Sequence, residues 1–225
     1  MLIPKIPDVR EGCKTRPLFM TGAEPEEVWP LVRDFHYSRR MPSIIKHCFV
    51  WREAGGLFGD FGEARAAVIF GQPVNRAWPT DALELQRLVR RDDFDRPLSE
   101  FVAWSLRWLK KHTETPFVLS YADSGQGHHG GIYQALSFDY VLESEPRQDG
   151  IRNTSSGEFI HGRQVGRMFG SQKRAEVSAQ LTEDWELAYH ESKFCYVRAL
   201  KQRRTSLFKQ FGWSALPYPK PALAA

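Results

Sequence analysis

Three successive elements between residues 82 and 123 constrain the fold of this chain most. Residues 82–91, ALELQRLVRR, alternate apolar and polar side chains imperfectly and indicate a strand. Residues 96–112, RPLSEFVAWSLRWLKKH, keep their apolar side chains on one face and predict an amphipathic helix. Residues 115–123, TPFVLSYAD, form a short apolar run typical of a buried strand. A strand, a helix and a second strand in succession indicate a sheet with a helix packed on it.

Patterns on either side of this unit add further strands and helices. Apolar residues at helical spacing predict a helix within residues 24–42, which Pro42 ends. β-branched and aromatic residues predict strands at 44–54 and 61–71, paired as a hairpin or meander. Beyond residue 123 we expect a short helix at 131–141, a strand from about Val141 and a polar loop at 145–158. A loop and then a helix should follow within 163–181, and a strand at 192–200. The chain should end with a basic helix at 201–213 and a frayed segment at 217–225. These elements predict an α+β (α/β) fold with a mixed central sheet flanked by helices, in a single domain over residues 1–225 with a basic helical extension from about 200 to 225.

The charged residues are unevenly distributed. The net charge is +4, and residues 147–213 contain twelve Lys and Arg against seven Asp and Glu. A basic C-terminal third is typical of a surface that binds a polyanion, although ordinary surfaces show the same asymmetry. No stretch approaches the roughly 20 apolar residues of a membrane span, and the N-terminus lacks the pattern of a secretory signal. Three scattered cysteines fit a reducing compartment. We therefore expect a cytoplasmic protein that does not bind membranes.

Residues 120–135, SYADSGQGHHGGIYQA, concentrate reactive side chains around a flexible turn. Asp123 ends the predicted strand, where a carboxylate could act as a general base or a metal ligand, or could simply start the turn. His128 and His129 lie between glycines, which allow close approach of the backbone to a ligand. Asp123 and His128, joined by His36, could hold a divalent metal.

This segment belongs to a wider set of motifs. Together with HYSRRMP at residues 36–42 and KFCYVRAL at 193–200, it resembles the Mom family of phage DNA adenine hypermodification proteins. The order of elements from residue 82 onward also resembles the second half of the GNAT acyltransferase core. The resemblance implies a GNAT-like, mostly antiparallel central sheet flanked by helices. It also implies a transferase that converts adenine in duplex DNA to N6-carbamoylmethyladenine inside the infected bacterial host, which protects phage DNA from restriction.

The resemblance also suggests roles for individual residues. The catalytic candidates are His36, Tyr37, Ser120, Asp123 and Tyr133, with Tyr133 as the proton donor to the leaving group. The candidate contacts to the donor are Tyr121, Arg90 and Arg91. The candidate ligands of an iron ion are His36, Asp123 and His128. The candidate contacts to the phosphates of double-stranded DNA are Arg39, Arg40, Arg163, Arg167, Lys173 and Arg174.

The loop before the long predicted helix departs from the GNAT pattern. Residues 90–100, RRDDFDRPLSE, contain three aspartates and no glycine, where GNAT proteins have a glycine-containing loop that binds pyrophosphate through backbone N–H groups. Both an acyl-CoA and an aminoacyl donor therefore stay open. A GNAT-like N-acyltransferase acting on a small amine or a protein is the alternative function, and a non-catalytic DNA-binding module is a third. The protein is expected to be a monomer or a homodimer.

Overall fold

The computed structural model describes residues 18–54, 61–145, 147–160, 162–171 and 173–220. The strands are β1 (Leu18–Ala23), β2 (Ile45–Ala54), β3 (Phe61–Gly71), β4 (Leu83–Arg90), β5 (Phe117–Asp123), β6 (Asp139–Glu143), β7 (Arg147–Asn153), β8 (Phe159–Ile160), β9 (Trp185–His190) and β10 (Lys193–Ala199). The helices are α1 (Pro25–Phe35), α2 (Leu98–His112), α3 (Gly131–Ala135), α4 (Gly162–Phe169), α5 (Arg174–Ser178) and α6 (Arg204–Phe211).

Seven strands form the central sheet, in the order β1-β2-β3-β4-β5-β10-β6. Neighbouring strands are antiparallel except β4 and β5, which are parallel. The exception follows from the chain path, because a parallel pair requires a long crossover and α2 supplies it. The predicted mixed, mostly antiparallel sheet flanked by helices is confirmed.

Alternation of side chains along the strands creates an apolar layer on each face of the sheet. On one face α2 packs through Phe101 and Leu109 over a cluster that includes Phe49 of β2. On the other face Val28 of α1 packs over Val50, the next residue of β2. The same face carries α6 further along the sheet, over β5, β10 and β6. Helices on both faces leave the ends of the strands as the accessible part of the sheet.

A smaller sheet, in the order β8-β7-β9, is inserted between β6 and β10. Its own apolar cluster joins Ile151 and Ile160 of the strands to Val165 of α4 and Val177 of α5. The prediction of a polar loop at residues 145–158 is wrong, because β7 lies within it. This strand has little apolar character of its own and is stabilised by pairing with β9. The strands β1 and β9 were also not predicted.

Several element ends differ from the sequence prediction. Helix α1 ends at Phe35, before the HYSRRMP motif and not at Pro42. The C-terminal segment is not frayed over its described part: the amide of Leu216 donates to the carbonyl of Tyr140 at 2.9 Å, and the Tyr218 hydroxyl donates to the carbonyl of Phe138 at 2.8 Å. Residues 221–225 lie outside the described part of the chain. None of the helices in the described ranges is long and apolar enough to cross a membrane.

Candidate active site in a cleft between two parallel strands

The central sheet opens between its two parallel strands. Strands β4 and β5 pair only from Leu83 opposite Val118 to Leu85 opposite Ser120, although both strands continue further. The register between β3 and β4 shifts next to Leu85, which leaves Gln86 as an extra residue in β4. Such a bulge bends a strand and ends its pairing. The diverging strands bound a cavity of about 470 Å³.

Both polar and apolar side chains line the cavity. The polar side chains belong to His36, Tyr37, Gln86, Tyr121, Asp123, His128 and His129. The apolar side chains that line it belong to Leu85, Leu88, Leu98, Ala122 and Ile132, and Tyr133 lies among them. The structure therefore brings the HYSRRMP motif and the SYAD…IYQA segment, which are far apart in the chain, into one cleft.

His36 is a neutral imidazole with an assigned tautomer. The backbone N–H of Ser38 donates to Nδ1 at 3.1 Å, so Nδ1 carries no proton and the neutral ring carries its proton on Nε2. Burial, with smaller contributions from the charges of Arg87 and His128, lowers the pKa of His36 to about 4. At neutral pH the imidazole ring of His36, which lines the cleft, is therefore uncharged.

Tyr37 is the exposed aromatic side chain at the cleft. Its ring stacks on His36 with centroids 4.5 Å apart, and the ring of His128 lies nearly perpendicular to it, with centroids 6.2 Å apart. The residue remains 54% exposed, although it lines the cavity. A partly exposed aromatic ring held in place by another ring can stack against a planar ligand.

Tyr133 and Ser120 form a buried hydroxyl pair. The Ser120 hydroxyl lies 2.8 Å from the Tyr133 hydroxyl and 2.9 Å from the carbonyl oxygen of Leu85. A carbonyl can only accept and a hydroxyl has one proton, so both bonds exist together when Tyr133 donates to Ser120 and Ser120 donates to Leu85. Burial raises the pKa of Tyr133 to about 12, which keeps the phenol protonated. Leu85 is the last residue of β4 that pairs with β5.

Asp123 has a partner for each carboxylate oxygen. Oδ1 accepts from the amide of Gly125 at 3.2 Å, which is the turn-starting arrangement that the sequence also allowed. Oδ2 lies 3.1 Å from Nζ of Lys193, which stands opposite Asp123 in the β5–β10 pairing. The residue is only 8% exposed. Asp123 is thus a fixed, paired negative charge beside the cavity.

Sequence reasoning missed Lys193 and Arg87. The position of Lys193 beside Asp123 depends on the register of two distant strands, which no local pattern reveals. Arg87 donates from Nε to the carbonyl of Arg40 at 2.9 Å and so fastens the turn that carries His36 to β4. Arg39 in this turn has a φ of +46°, a conformation that is costly for a residue with a side chain. The signal that could have identified Arg87 is the break in the apolar–polar alternation of β4, where polar Gln86 and Arg87 follow one another.

The glycines of the loop have different environments. Gly127 and Gly130 both adopt positive φ, +71° and +83°. A Cβ at Gly127 would meet nothing within 4 Å, whereas a Cβ at Gly130 would lie 2.3 Å from the ring of Tyr196. At Gly130 the Cβ position is therefore filled by a core side chain, while Gly127, Gly130 and Gly131 all line the cavity.

The predicted iron ligands do not form a metal site. In the part of the chain that the structure describes, no three His, Cys, Asp or Glu side chains are arranged to hold a metal ion. Two of the three predicted ligands already have other partners, because Nδ1 of His36 accepts a hydrogen bond from Ser38 and the carboxylate of Asp123 is paired with Lys193.

The predicted donor contacts lie at different places. The Tyr121 hydroxyl accepts from Nε1 of Trp78 at 2.8 Å, among the residues that pack under α6. Arg91 pairs with Glu63 and lies over the ring of Phe35, at 5.6 Å from its centroid. Of the three, only Tyr121 lines the cleft, and Arg90 is exposed elsewhere.

The predicted phosphate contacts fall into two groups. Arg39 and Arg40 are exposed on the turn that carries His36. The exposed side chains on or beside α4 and α5 of the inserted sheet are those of Arg167, Lys173 and Arg174. The side chain of Arg163 lies outside the described part of the structure. The insertion leaves and rejoins the central sheet beside the cleft, since the hydroxyl of Ser124, next to Asp123, donates to the carbonyl of Ser192 at 2.6 Å.

The fold is a mostly antiparallel sheet with helices on both faces, which opens between two parallel strands joined by a helix. The chain belongs to the Mom protein family, whose family model matches residues 19–220. No curated protein is matched by the sequence.

Solved structures with a similar fold are N-acetyltransferases. The ribosomal-protein-S18-alanine N-acetyltransferase from Escherichia coli is 10% identical, with 83% of this chain and 96% of that chain covered and a TM-score of 0.47. The spermidine N-acetyltransferase from Vibrio cholerae in complex with CoA and spermine is 7% identical, with 82% and 96% covered and a TM-score of 0.46. A GNAT family N-acetyltransferase from Escherichia coli in complex with CoA is 12% identical, with 59% and 73% covered and a TM-score of 0.42.

Proposed function

We propose that this protein is a DNA-modifying transferase that converts adenine in duplex DNA to N6-carbamoylmethyladenine and so protects phage DNA from restriction in the bacterial cytoplasm. Membership of the Mom family supports this proposal. The observation that carries it is the convergence of His36, Tyr37, Asp123 and Tyr133 on one cleft that is open to a planar ligand.

The acceptor side of the cleft suits a base that has left the double helix. N6 of adenine is paired inside the duplex, so an enzyme that modifies it has to flip the nucleotide into a pocket. A cavity of about 470 Å³ lies within the common range for small-ligand pockets. The exposed face of Tyr37 offers a stacking surface, and the neutral ring of His36 behind it avoids a charge against the base.

Two parts of the site can assist the transfer. As N6 bonds to the donor's carbon, the bond from that carbon to the leaving group breaks, and positive charge develops on N6 until its proton leaves. The carboxylate of Asp123, oriented by Lys193 and Gly125, would stabilise that charge and accept the proton. The phenol of Tyr133, which burial keeps protonated, would give up its hydrogen bond to Ser120 and donate to the leaving group instead.

The donor would occupy the apolar side of the cleft. The edges of β4 and β5 that face each other beyond Leu85 and Ser120 have no strand between them, so their N–H and C=O groups can pair with an extended, amide-containing donor. The segment before α2 has no glycine, and it holds Asp92, Asp93 and Asp95 beside three arginines. It therefore differs from a glycine-containing loop that binds pyrophosphate through backbone N–H groups, and an aminoacyl donor and an acyl-CoA both stay open.

The basic residues would bind the DNA backbone. Arg39 and Arg40 lie on the same turn as His36, and Arg167, Lys173 and Arg174 lie on an insertion that rejoins the central sheet next to Asp123. Contacts of this kind release counterions, so the affinity for DNA should fall steeply as salt increases.

The test is mass spectrometry of nucleosides from plasmid DNA of cells that express the protein, compared with Asp123→Ala. Asp81→Ala is the matched control, because it removes an exposed carboxylate outside the cleft. We expect a deoxyadenosine heavier by the transferred group in the wild type and the control, and none in Asp123→Ala. Unmodified DNA from cells with folded wild-type protein, even after addition of a phage-host lysate, would favour the alternative, an N-acyltransferase acting on a small amine or a protein.

A further inference from the structure

Gln134, in the IYQA part of the segment, has no role in the chemistry described above, yet its side chain joins three parts of the chain. Its Nε2 lies 3.2 Å from the carbonyl oxygen of His129, from the hydroxyl of Tyr196 and from the carbonyl oxygen of Pro219. These acceptors belong to the glycine-rich loop, to β10 and to the C-terminal segment. One half-buried amide group therefore connects the cleft loop with two elements that do not line the cleft.

The carbonyl of His129 is held from two directions. Besides the amide of Gln134, the Tyr196 hydroxyl donates to it at 2.6 Å. The ring of Tyr196 is fully buried and lies directly against Gly130. On its other side it stacks with Tyr218, with ring centroids 6.4 Å apart. Contacts with the protein core and the C-terminal segment therefore fix the loop backbone at His129 and Gly130.

A loop with this composition needs such support. Gly127, Gly130 and Gly131 have no side chains with which to anchor it, and glycine has the largest backbone freedom. The loop nevertheless presents His128 and His129 to the cavity. Functional side chains have to be held to within about 0.5 Å of their working geometry, which isolated glycine-rich backbone does not achieve.

We propose that Gln134 is a positioning residue of the cleft, which sets the backbone of residues 128–131 and couples it to the C-terminal segment at residues 216–219. The amide nitrogen has two N–H groups for these three acceptors, so one N–H is shared between two of them. The expected effect of Gln134 variants on DNA modification rests on the proposed function, whereas their expected effect on the conformation of the loop does not.

Two variants distinguish the loss of the hydrogen-bond donors of Gln134 from a change in the bulk of its side chain. Gln134→Met keeps the length and bulk of the side chain but has no donor. Gln134→Lys offers three N–H donors to the three acceptors. The measurement is hydrogen exchange of the backbone amides in residues 124–133, with residues 98–112 of α2 as the internal reference. We expect exchange about tenfold faster in the loop of Gln134→Met, as the loss of such hydrogen bonds implies, unchanged exchange in α2, and wild-type exchange in Gln134→Lys.

Three results would overturn the proposal. They are wild-type exchange of the loop in Gln134→Met, equal acceleration in the loop and in α2, and failure of Gln134→Lys to restore protection. The nucleoside assay gives an independent result: if the wild type modifies DNA, Gln134→Met should lose modification and Gln134→Lys should recover it. If the wild type modifies no DNA, the proposed function fails, while the exchange measurement still decides whether Gln134 positions the loop.

Discussion

The substitution Gly130→Ala should destabilise the protein strongly, for two separate reasons. Gly130 has a φ of +83°, in the left-handed region that costs a residue with a side chain about 1–2 kcal/mol. The new methyl group would also lie 2.3 Å from Cε2, 2.4 Å from Cζ and 2.6 Å from the hydroxyl oxygen of Tyr196. These contacts are far inside van der Waals distance, so either the ring or the loop has to move.

The ring of Tyr196 is not free to yield. It is fully buried, and its hydroxyl is tied to the carbonyl of His129, one residue away from the substitution. Overpacking of this kind costs about 1–3 kcal/mol. With the backbone contribution, the free energy of unfolding should fall by about 2–5 kcal/mol. For a chain of this size each kcal/mol corresponds to roughly 2–4 °C, so the Tm should fall by roughly 5–15 °C.

Gly127→Ala is the matched control in the same loop. Its φ of +71° carries the same backbone cost, but nothing lies within 4 Å of the new methyl group. Reduced freedom of the unfolded chain offsets part of that cost, so a loss of at most about 1 kcal/mol is expected. Urea denaturation of the two variants measures the difference. Equal stability of Gly130→Ala and Gly127→Ala would refute the claim that the loop is packed against Tyr196.

Three further predictions concern the ionisable and hydroxyl groups of the cleft. The pKa of His36 is about 4 in the folded protein and 6.5 in the unfolded chain. As the pH falls from 6.5 to 4, the free energy of unfolding of the wild type should therefore decrease by up to about 3 kcal/mol more than that of His36→Gln. Urea denaturation at each pH measures this difference. Tyr133→Phe should abolish the modified nucleoside and reduce the free energy of unfolding by about 1 kcal/mol, because Ser120 loses its hydroxyl partner; full modification by this variant would contradict the proton-donor role. Lys193→Met should cost about 1–3 kcal/mol, because it leaves the carboxylate of Asp123 without its cation. Adding Asp123→Asn should recover part of that loss in urea denaturation, and no recovery would show that the ion pair is not the cause.

Local patterns predicted most of the central sheet. Alternation and β-branched residues placed β2, β3, β4 and β5 at their observed positions, and helical periodicity placed α2, because each element satisfies its own burial pattern. Strands without such a pattern were missed. In β7 only Gly150 and Ile151 are buried among the residues whose side chains are described, so the segment resembles a loop until β9 pairs with it.

The chemistry of the site was only partly visible in the sequence. Asp123, His128 and Tyr133 lie within eleven residues of one another in the sequence. A predicted strand followed by a turn was therefore enough to place them in one cleft. The pairing of Asp123 with Lys193 and the hold of Arg87 on the turn after His36 depend on strand register and side-chain direction. Arg91 was predicted to contact the donor, but its side chain pairs with Glu63 and lies over Phe35, outside the cleft.

The sequence by itself determined the types of the main elements and the set of reactive side chains, because periodicity and motif composition are properties of consecutive residues. The tertiary structure decided that β4 and β5 separate after Leu85 and Ser120, and that His36 and Tyr37 face Asp123 across the gap. It also decided that the C-terminal segment supports the glycine-rich loop through Gln134. These features arise from contacts between residues far apart in the chain, and such contacts depend on how the whole core packs.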